Sequence, residues 1–329
     1  MRTTLTAVAI AIMMSAFVSL GAAEWTAPRT PWGEPDLQGI WTSQAELAVP
    51  FERPKAFGTR QFLTDEELAQ REAQLQAQLE SDNAAFDPET ADTSRAGQVG
   101  SPTSPPPSWL ERGKPSRRTS LVIDPADGRV PPLSAAGRER LRAAGRGALD
   151  NGPFDGPESM GLYQRCITRG VPTAIFPAIY NANTGIAQGP GFVAITYEMI
   201  HETRIIPTTP QPHLPADMRP YLGDSRGHWE GDTLVVDVTN FNAKDDYRGS
   251  GAGLHLTERY RRTPDGGLRY EVTVEDSDTW PRPWTAALDL QPQPEGMFEY
   301  ACHEGNYAMR NMLSASRAAE ARAAAAKKK

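Results

Sequence analysis

A carboxylate stands in this chain where the pattern calls for an apolar side chain. His255–Arg262 and Leu268–Asp276 are alternating runs joined by Thr263-Pro264-Asp265-Gly266-Gly267, which is turn chemistry. With Tyr260 set opposite Tyr270, Leu256, Glu258 and Tyr260 share a face with Tyr270, Val272 and Val274, while Arg259, Arg261, Arg269 and Glu271 take the other. Glu258 is then a carboxylate on the buried face. Desolvation raises a carboxylate's pKa towards the range where it exchanges protons at neutral pH. The competing reading is structural, with Glu258 pairing to a buried arginine such as Arg204 or Arg165.

The candidate proton-transfer partners are His201, which extends the apolar series Val193-Ile195-Tyr197-Met199, and His303. Histidine is scarce: His201, His213, His228, His255 and His303 are all there are. Several sit near acids, but neither a His-x-His strand pair nor a helical His-Glu-x-x-His is present. His255 and Glu258 are three apart on a strand and face opposite sides, so a metal would need distant ligands such as His201, His228 and Glu258. No metal site is expected on spacing. Candidate ligand-binding groups are Asp224 and His228 before a hairpin, Asn240 and Arg248 after the Thr233 strand, and Trp284. Arg248 is suited to an anion, and Trp41, Trp229 and Trp280 are further candidates for lining a cavity. Asp224 could equally cap a turn.

Two cysteines, Cys166 and Cys302, make one disulfide the simplest outcome in an oxidising compartment. A thiol nucleophile is the rival reading, but His303 adjoins Cys302 and would point to the opposite strand face. Export is suggested by Arg2, the apolar run Leu5–Leu20 and the small residues Gly21-Ala22-Ala23, the pattern of a signal peptide over 1–23. A periplasmic or secreted protein is therefore expected, without stable membrane insertion after cleavage, since the run is short for a span of about 20 residues. The net charge of −7 argues against nucleic acid or an anionic membrane surface as partner, which leaves a small molecule. No Gly-rich phosphate loop or Cys-x-x-Cys cluster is present, so no cofactor is expected. Nothing in the sequence indicates an oligomeric state.

The elements that must position these residues are mostly strands. Phe192–Glu198, Thr203–Thr208, Thr233–Asn240, the hairpin pair, Trp284–Gln291 and Met297–Cys302 follow one another without helical crossovers. That predicts a mainly β domain over 119–306, an up-and-down antiparallel barrel or sandwich, with closure favoured because it removes edges. Before it, 24–118 reads as a wrapping segment: a strand at Asp36–Trp41, a helix capped by Thr64 and running to about Ser81, and a Pro-rich irregular stretch over Asp82–Arg118. Thr119–Ile123 reads as a strand, Ser134 caps a helix through about Arg146, and 307–329 is a C-terminal helix with a basic tail.

The strings GDSRGHWEGDTLVV, LHLTERY, RPWTA and EYACHEGNY resemble a broad group of exported bacterial proteins, and the likeness covers most of the mature chain. It implies kinship and export but carries no mechanism. Gly39-Ile40-Trp41 separately resembles the Gly-x-Trp of the first strand of lipocalin-like barrels. Three functional classes are compatible with the residues. One is an acid–base enzyme of lyase, isomerase, hydratase or hydrolase type using Glu258 and a histidine. The others are a carrier of a small apolar or aromatic ligand and a structural protein of the envelope.

Overall fold

The alternating runs close on themselves. In the computed structural model, which describes residues 25–82, 110–144, 154–242, 244 and 247–327, ten antiparallel strands form one nearly closed barrel. They are β1 (Gly39–Thr42), β2 (Val122–Asp124), β3 (Asn183–Gly189), β4 (Phe192–Tyr197), β5 (Glu202–Pro207), β6 (Asp224–Glu230), β7 (Thr233–Thr239), β8 (His255–Arg262), β9 (Leu268–Glu275) and β10 (Trp284–Pro292). Neighbours run β5-β4-β3-β1-β10-β9-β8-β7-β6, with β2 added beside β10. Two meanders are thus joined through the N-terminal strand β1, which lies between β3 and β10 and departs from strict up-and-down order. The path ends at β5 and β6, which lie side by side at a seam. A Cβ at Gly227 would lie 3.0 Å from Ile206, so glycine is what permits that approach.

The register in β8 and β9 is the one the alternation demands: Tyr260 pairs with Tyr270, and Leu256, Glu258, Tyr260, Tyr270, Val272 and Val274 are all buried. The interior continues with Leu234, Val236 and Val238 of β7, Ile195 and Tyr197 of β4, and Trp284, Ala286, Leu288 and Leu290 of β10. β3 escapes the sequence reading because Asn183, Gly185 and Gly189 are poor strand formers. The expected strand Met297–Cys302 is absent: the chain there is irregular, with Phe298 exposed and its N–H given to Glu198 at 2.6 Å rather than to a ladder. Met297 lies against Gly185, a position where a Cβ would come within 3.0 Å of its sulfur.

Among the described residues three α-helices accompany the barrel: α1 (Asp65–Asp82), α2 (Ala135–Ala144) and α3 (Ala308–Ala326). α1 opens with a capping box, in which Glu67 N–H donates to Thr64 Oγ1 (3.3 Å) and Thr64 N–H to Glu67 (2.8 Å). Ser134 caps α2 by accepting from Gly137 N–H at 3.0 Å. Met309, Met312 and Leu313 half-bury one stripe of α3, and Ser316 accepts Phe154 N–H at 3.0 Å. No helix among the described residues is long and apolar enough to cross a membrane. The expected signal peptide at 1–23, most of the Pro-rich stretch, the end of the second helix and Lys328-Lys329 lie outside the described residues.

Candidate functional site

Glu258 is completely buried and fully engaged. Its Oε2 accepts from Arg204 at 2.6 Å, and its Oε1 accepts from the hydroxyls of Tyr260 (2.8 Å) and Tyr270 (3.0 Å). Arg204 also donates to the Tyr260 oxygen at 3.2 Å. β8 and β5 are not neighbours in the sheet, so this pair spans the lumen and ties the two sides of the seam together from inside. Burial holds the Tyr260 and Tyr270 phenols well above their ordinary pKa, and they stay protonated donors. The structural reading of Glu258 named Arg204, and Arg204 is the partner.

His201 leaves the face it was expected to extend. Val193, Ile195, Tyr197 and Met199 are buried, but Ile200 and His201 take φ of 68° and 59°, which breaks the alternation and turns His201 outward. His303 is exposed as well. The two histidines nevertheless belong to one end of the barrel. Thr168 donates to Glu202 at 2.5 Å, which brings the 201–202 turn to the segment after Cys166. The Cys166–Cys302 disulfide, with Cα atoms 5.7 Å apart, brings the 300–304 segment to the same place.

What the disulfide staples there is a polar cluster. The Tyr163 hydroxyl is hydrogen-bonded to those of Tyr180 (3.2 Å) and Tyr300 (3.0 Å). Arg169 interacts electrostatically with all three phenols, and its Nη1 is shielded from solvent without a hydrogen-bond partner among the described residues. Burial pushes the Tyr180 hydroxyl up to about 12, raises Tyr163 and Tyr300, and lowers Arg169. Tyr180 is set by its neighbours: Glu111 accepts Asn181 N–H and Ala182 N–H, each at 3.2 Å, and the Ala182 carbonyl accepts the Ser43 hydroxyl. Asn306 donates to Cys166 Sγ at 3.2 Å, and Arg317 of α3 donates to the Phe154 carbonyl at 2.6 Å, so the C-terminal segment clamps the cap. Glu202 sits at the mouth of the interior face that continues to Arg204 and Ile206; burial raises its pKa, against the Thr168 hydrogen bond and the Arg204 charge.

The remaining candidates separate into three places. Asp224 is buried and accepts from Leu214 N–H (2.8 Å) and Arg226 (2.6 Å) and pairs with His213 (2.7 Å), while Asn240 donates to the Leu214 carbonyl at 2.8 Å. Both pin the β5–β6 connection. His228 is exposed beside Glu230 on the outer face. Arg248 and Trp284 do meet in one aromatic layer: the Arg248 guanidinium lies 4.3 Å over the Phe51 ring, which packs edge-on to Trp284. His201, His228 and Glu258 do not form a group, and no set of three His, Cys, Asp or Glu among the described residues is disposed to hold a metal ion. Glu202 could have been found from the alternation Glu202, Arg204, Ile206. Tyr163, Arg169, Tyr180 and Tyr300 lie on irregular segments and carried no periodic signal. Compared with known families and curated proteins, the chain matches no family model and no curated sequence.

Proposed function

We propose that the protein is an exported, periplasmic or secreted barrel that binds a small molecule at its disulfide-stapled end, beside groups able to exchange protons. The observation that carries this reading is the half-buried group of three tyrosine hydroxyls next to an arginine whose Nη1 has no hydrogen-bond partner among the described residues. Buried polar groups ordinarily find partners, so one left without a partner at the loop-built end of the barrel points to a ligand that supplies it. Glu202 is the carboxylate at that end of the barrel best disposed for acid–base work, since it is tied to Thr168 beside the cluster and burial raises its pKa. Glu258 is poorly disposed for it, because Arg204 and two tyrosines occupy its oxygens. His201 and His303, exposed on the turns flanking the cluster, are the accompanying proton carriers in this reading.

The signal-peptide pattern and the disulfide support export, as does the likeness of GDSRGHWEGDTLVV and EYACHEGNY to exported bacterial proteins. The test is fluorine NMR of protein carrying 3-fluorotyrosine at its nine tyrosines, titrated with a fragment set of neutral and charged molecules. A binding fragment is expected to move the signals of Tyr163, Tyr180 and Tyr300 and to leave those of Tyr260 and Tyr270 in place. If every binding fragment spares the first three, the reading fails.

A further inference from the structure

The donors and acceptors at the stapled end do not balance. Three phenols carry three hydroxyl protons. Two are spent in the hydrogen bonds of Tyr163 to Tyr180 and to Tyr300. Tyr180 and Tyr300 also hydrogen-bond with each other, so the third proton can be spent within the triangle. Arg169 adds the N–H groups of Nη1, and it makes no ion pair with any described carboxylate. The cluster thus has a positive charge and one guanidinium nitrogen without a partner among the described residues. Glu158 is taken by Arg165 (2.7 Å) and Lys244 (3.3 Å), and Glu202 by Thr168 (2.5 Å).

The geometry points to an oxyanion as the group this site recognises: we infer that the small molecule presents a carboxylate or phosphate to Arg169, with a tyrosine hydroxyl donating to a second oxygen. This rests on the small-molecule reading above and specifies its ligand class. A guanidinium fork matches two oxygens of such a group, and phenolic O–H donors complement the charge without adding to it. The raised phenol pKa values mean that all three remain donors throughout the physiological range. The disulfide is part of the device, because Tyr163 and Arg169 are on one of the segments it joins and Tyr300 is on the other.

The test titrates acetate, inorganic phosphate and neutral acetamide into the oxidised, fluorotyrosine-labelled protein. Acetate or phosphate is expected to move the signals of Tyr163, Tyr180 and Tyr300 saturably, and acetamide is not; which of the two anions binds more tightly tells a carboxylate ligand from a phosphorylated one. Arg169→Gln should weaken the anion at least about tenfold, since a hydrogen bond to a charged group is lost with the charge itself. Tyr163→Phe, which interrupts the hydroxyl chain without touching the charge, should weaken it less. Acetamide binding as well as acetate in the unmodified protein would overturn the oxyanion assignment while leaving a small-molecule site in place, and needs no variant to fold. An Arg169→Gln protein with an intact disulfide and undiminished anion binding would overturn it too. If all three probes and the wider fragment set leave the three tyrosines unmoved, the site reading itself falls.

Discussion

Removing the carboxylate of Glu258 by Glu258→Ala should cost about 3–5 kcal/mol, because it strands the buried Arg204 charge. The magnitude can be built from the contacts. Glu258 accepts three hydrogen bonds, from Arg204, Tyr260 and Tyr270, and a bond to a charged group contributes about 1.5–3 kcal/mol. Their sum exceeds the expected loss because Tyr260 keeps its contact with Arg204 and part of the desolvation cost of Glu258 is recovered. Such a loss is a large share of the roughly 5–15 kcal/mol that holds a domain together. Glu258→Gln keeps the shape and an acceptor for the tyrosines, and should still fold with a smaller loss. Arg204→Met combined with Glu258→Leu removes both charges and should recover at least half of the deficit, the remainder being Tyr260 and Tyr270 without their acceptor. Equilibrium urea unfolding at pH 7, followed by the fluorescence of the seven tryptophans, measures the parent, these three variants and the single changes Arg204→Met and Glu258→Leu. A Glu258→Ala loss below about 1 kcal/mol, or strict additivity of the two single changes, would refute a charge pair across the lumen.

Two further outcomes follow from buried or half-buried acids and histidines. Glu46 is fully buried against β10, accepting Asp289 N–H at 3.1 Å, and burial with the Asp289 charge raises its pKa from 4.5 to about 7. Its folded form prefers the proton, so ionisation costs stability as pH rises from 4.5 through 7. Arg118 lies 3.5 Å from the Glu46 carboxylate and offsets part of this cost, so Glu46→Gln should stabilise by less than about 3 kcal/mol at pH 8 and by almost nothing at pH 4, read by urea midpoints; equal effects at both pH values would contradict it. His255 lies between Asp237 and Glu275 (3.0 Å), and Asp237 also meets His213 (2.6 Å), which in turn reaches Asp224 (2.7 Å). Burial alone would lower the His255 pKa, but the hydrogen bonds and charges of Asp237 and Glu275 raise it above 6.5, while the two imidazoles lower that of Asp237 below 3.8. The raised histidine stabilises fully below pH 6.5 and loses its contribution as pH climbs through its folded pKa. The lowered aspartate stabilises above pH 3.8 and loses its contribution as pH falls through its folded pKa. The destabilisation caused by His255→Gln should therefore be greatest between those limits and fade above them; a deficit that grows towards pH 8 would show that the imidazole is not charged in the fold.

The strand interior was legible because burial and a period of two leave a direct mark on sequence. Leu256, Glu258, Tyr260, Tyr270, Val272 and Val274 could be assigned to one face before any coordinate was known, and Glu258 stood out by breaking the rule. The capping box at Thr64 and Glu67 is likewise local, as is the turn between β8 and β9. The Tyr–Arg cluster was not legible, for a physical reason: Tyr163, Arg169, Tyr180 and Tyr300 sit on irregular chain, where side-chain direction follows no period. His201 was misdirected by the same limit, since the alternation was carried through Ile200 into a turn where φ changes sign. The insertion of β1 between β3 and β10 is a choice among long-range pairings that short strands leave open.

The barrel's one seam and its polar cluster are related through Arg204 and Glu202. These residues lie two apart on β5, the strand at one edge of the seam, and so share its inward face. Arg204 faces Glu258 and holds β5 to β8 across the lumen, which compensates for the hydrogen bonds that β5 and β6 do not make with each other. Glu202, one pleat nearer the end, lies where the interior meets the disulfide-stapled cap and accepts from Thr168. A single strand thereby carries a residue that closes the fold and a residue that borders the proposed site. The arginine's long-range charge also works against the rise in the Glu202 pKa that burial causes. A change at Glu258 that loosens Arg204 should consequently be felt at the cap, so the fluorotyrosine signals of Tyr163, Tyr180 and Tyr300 in the Glu258→Gln protein would report coupling between the lumen pair and the site.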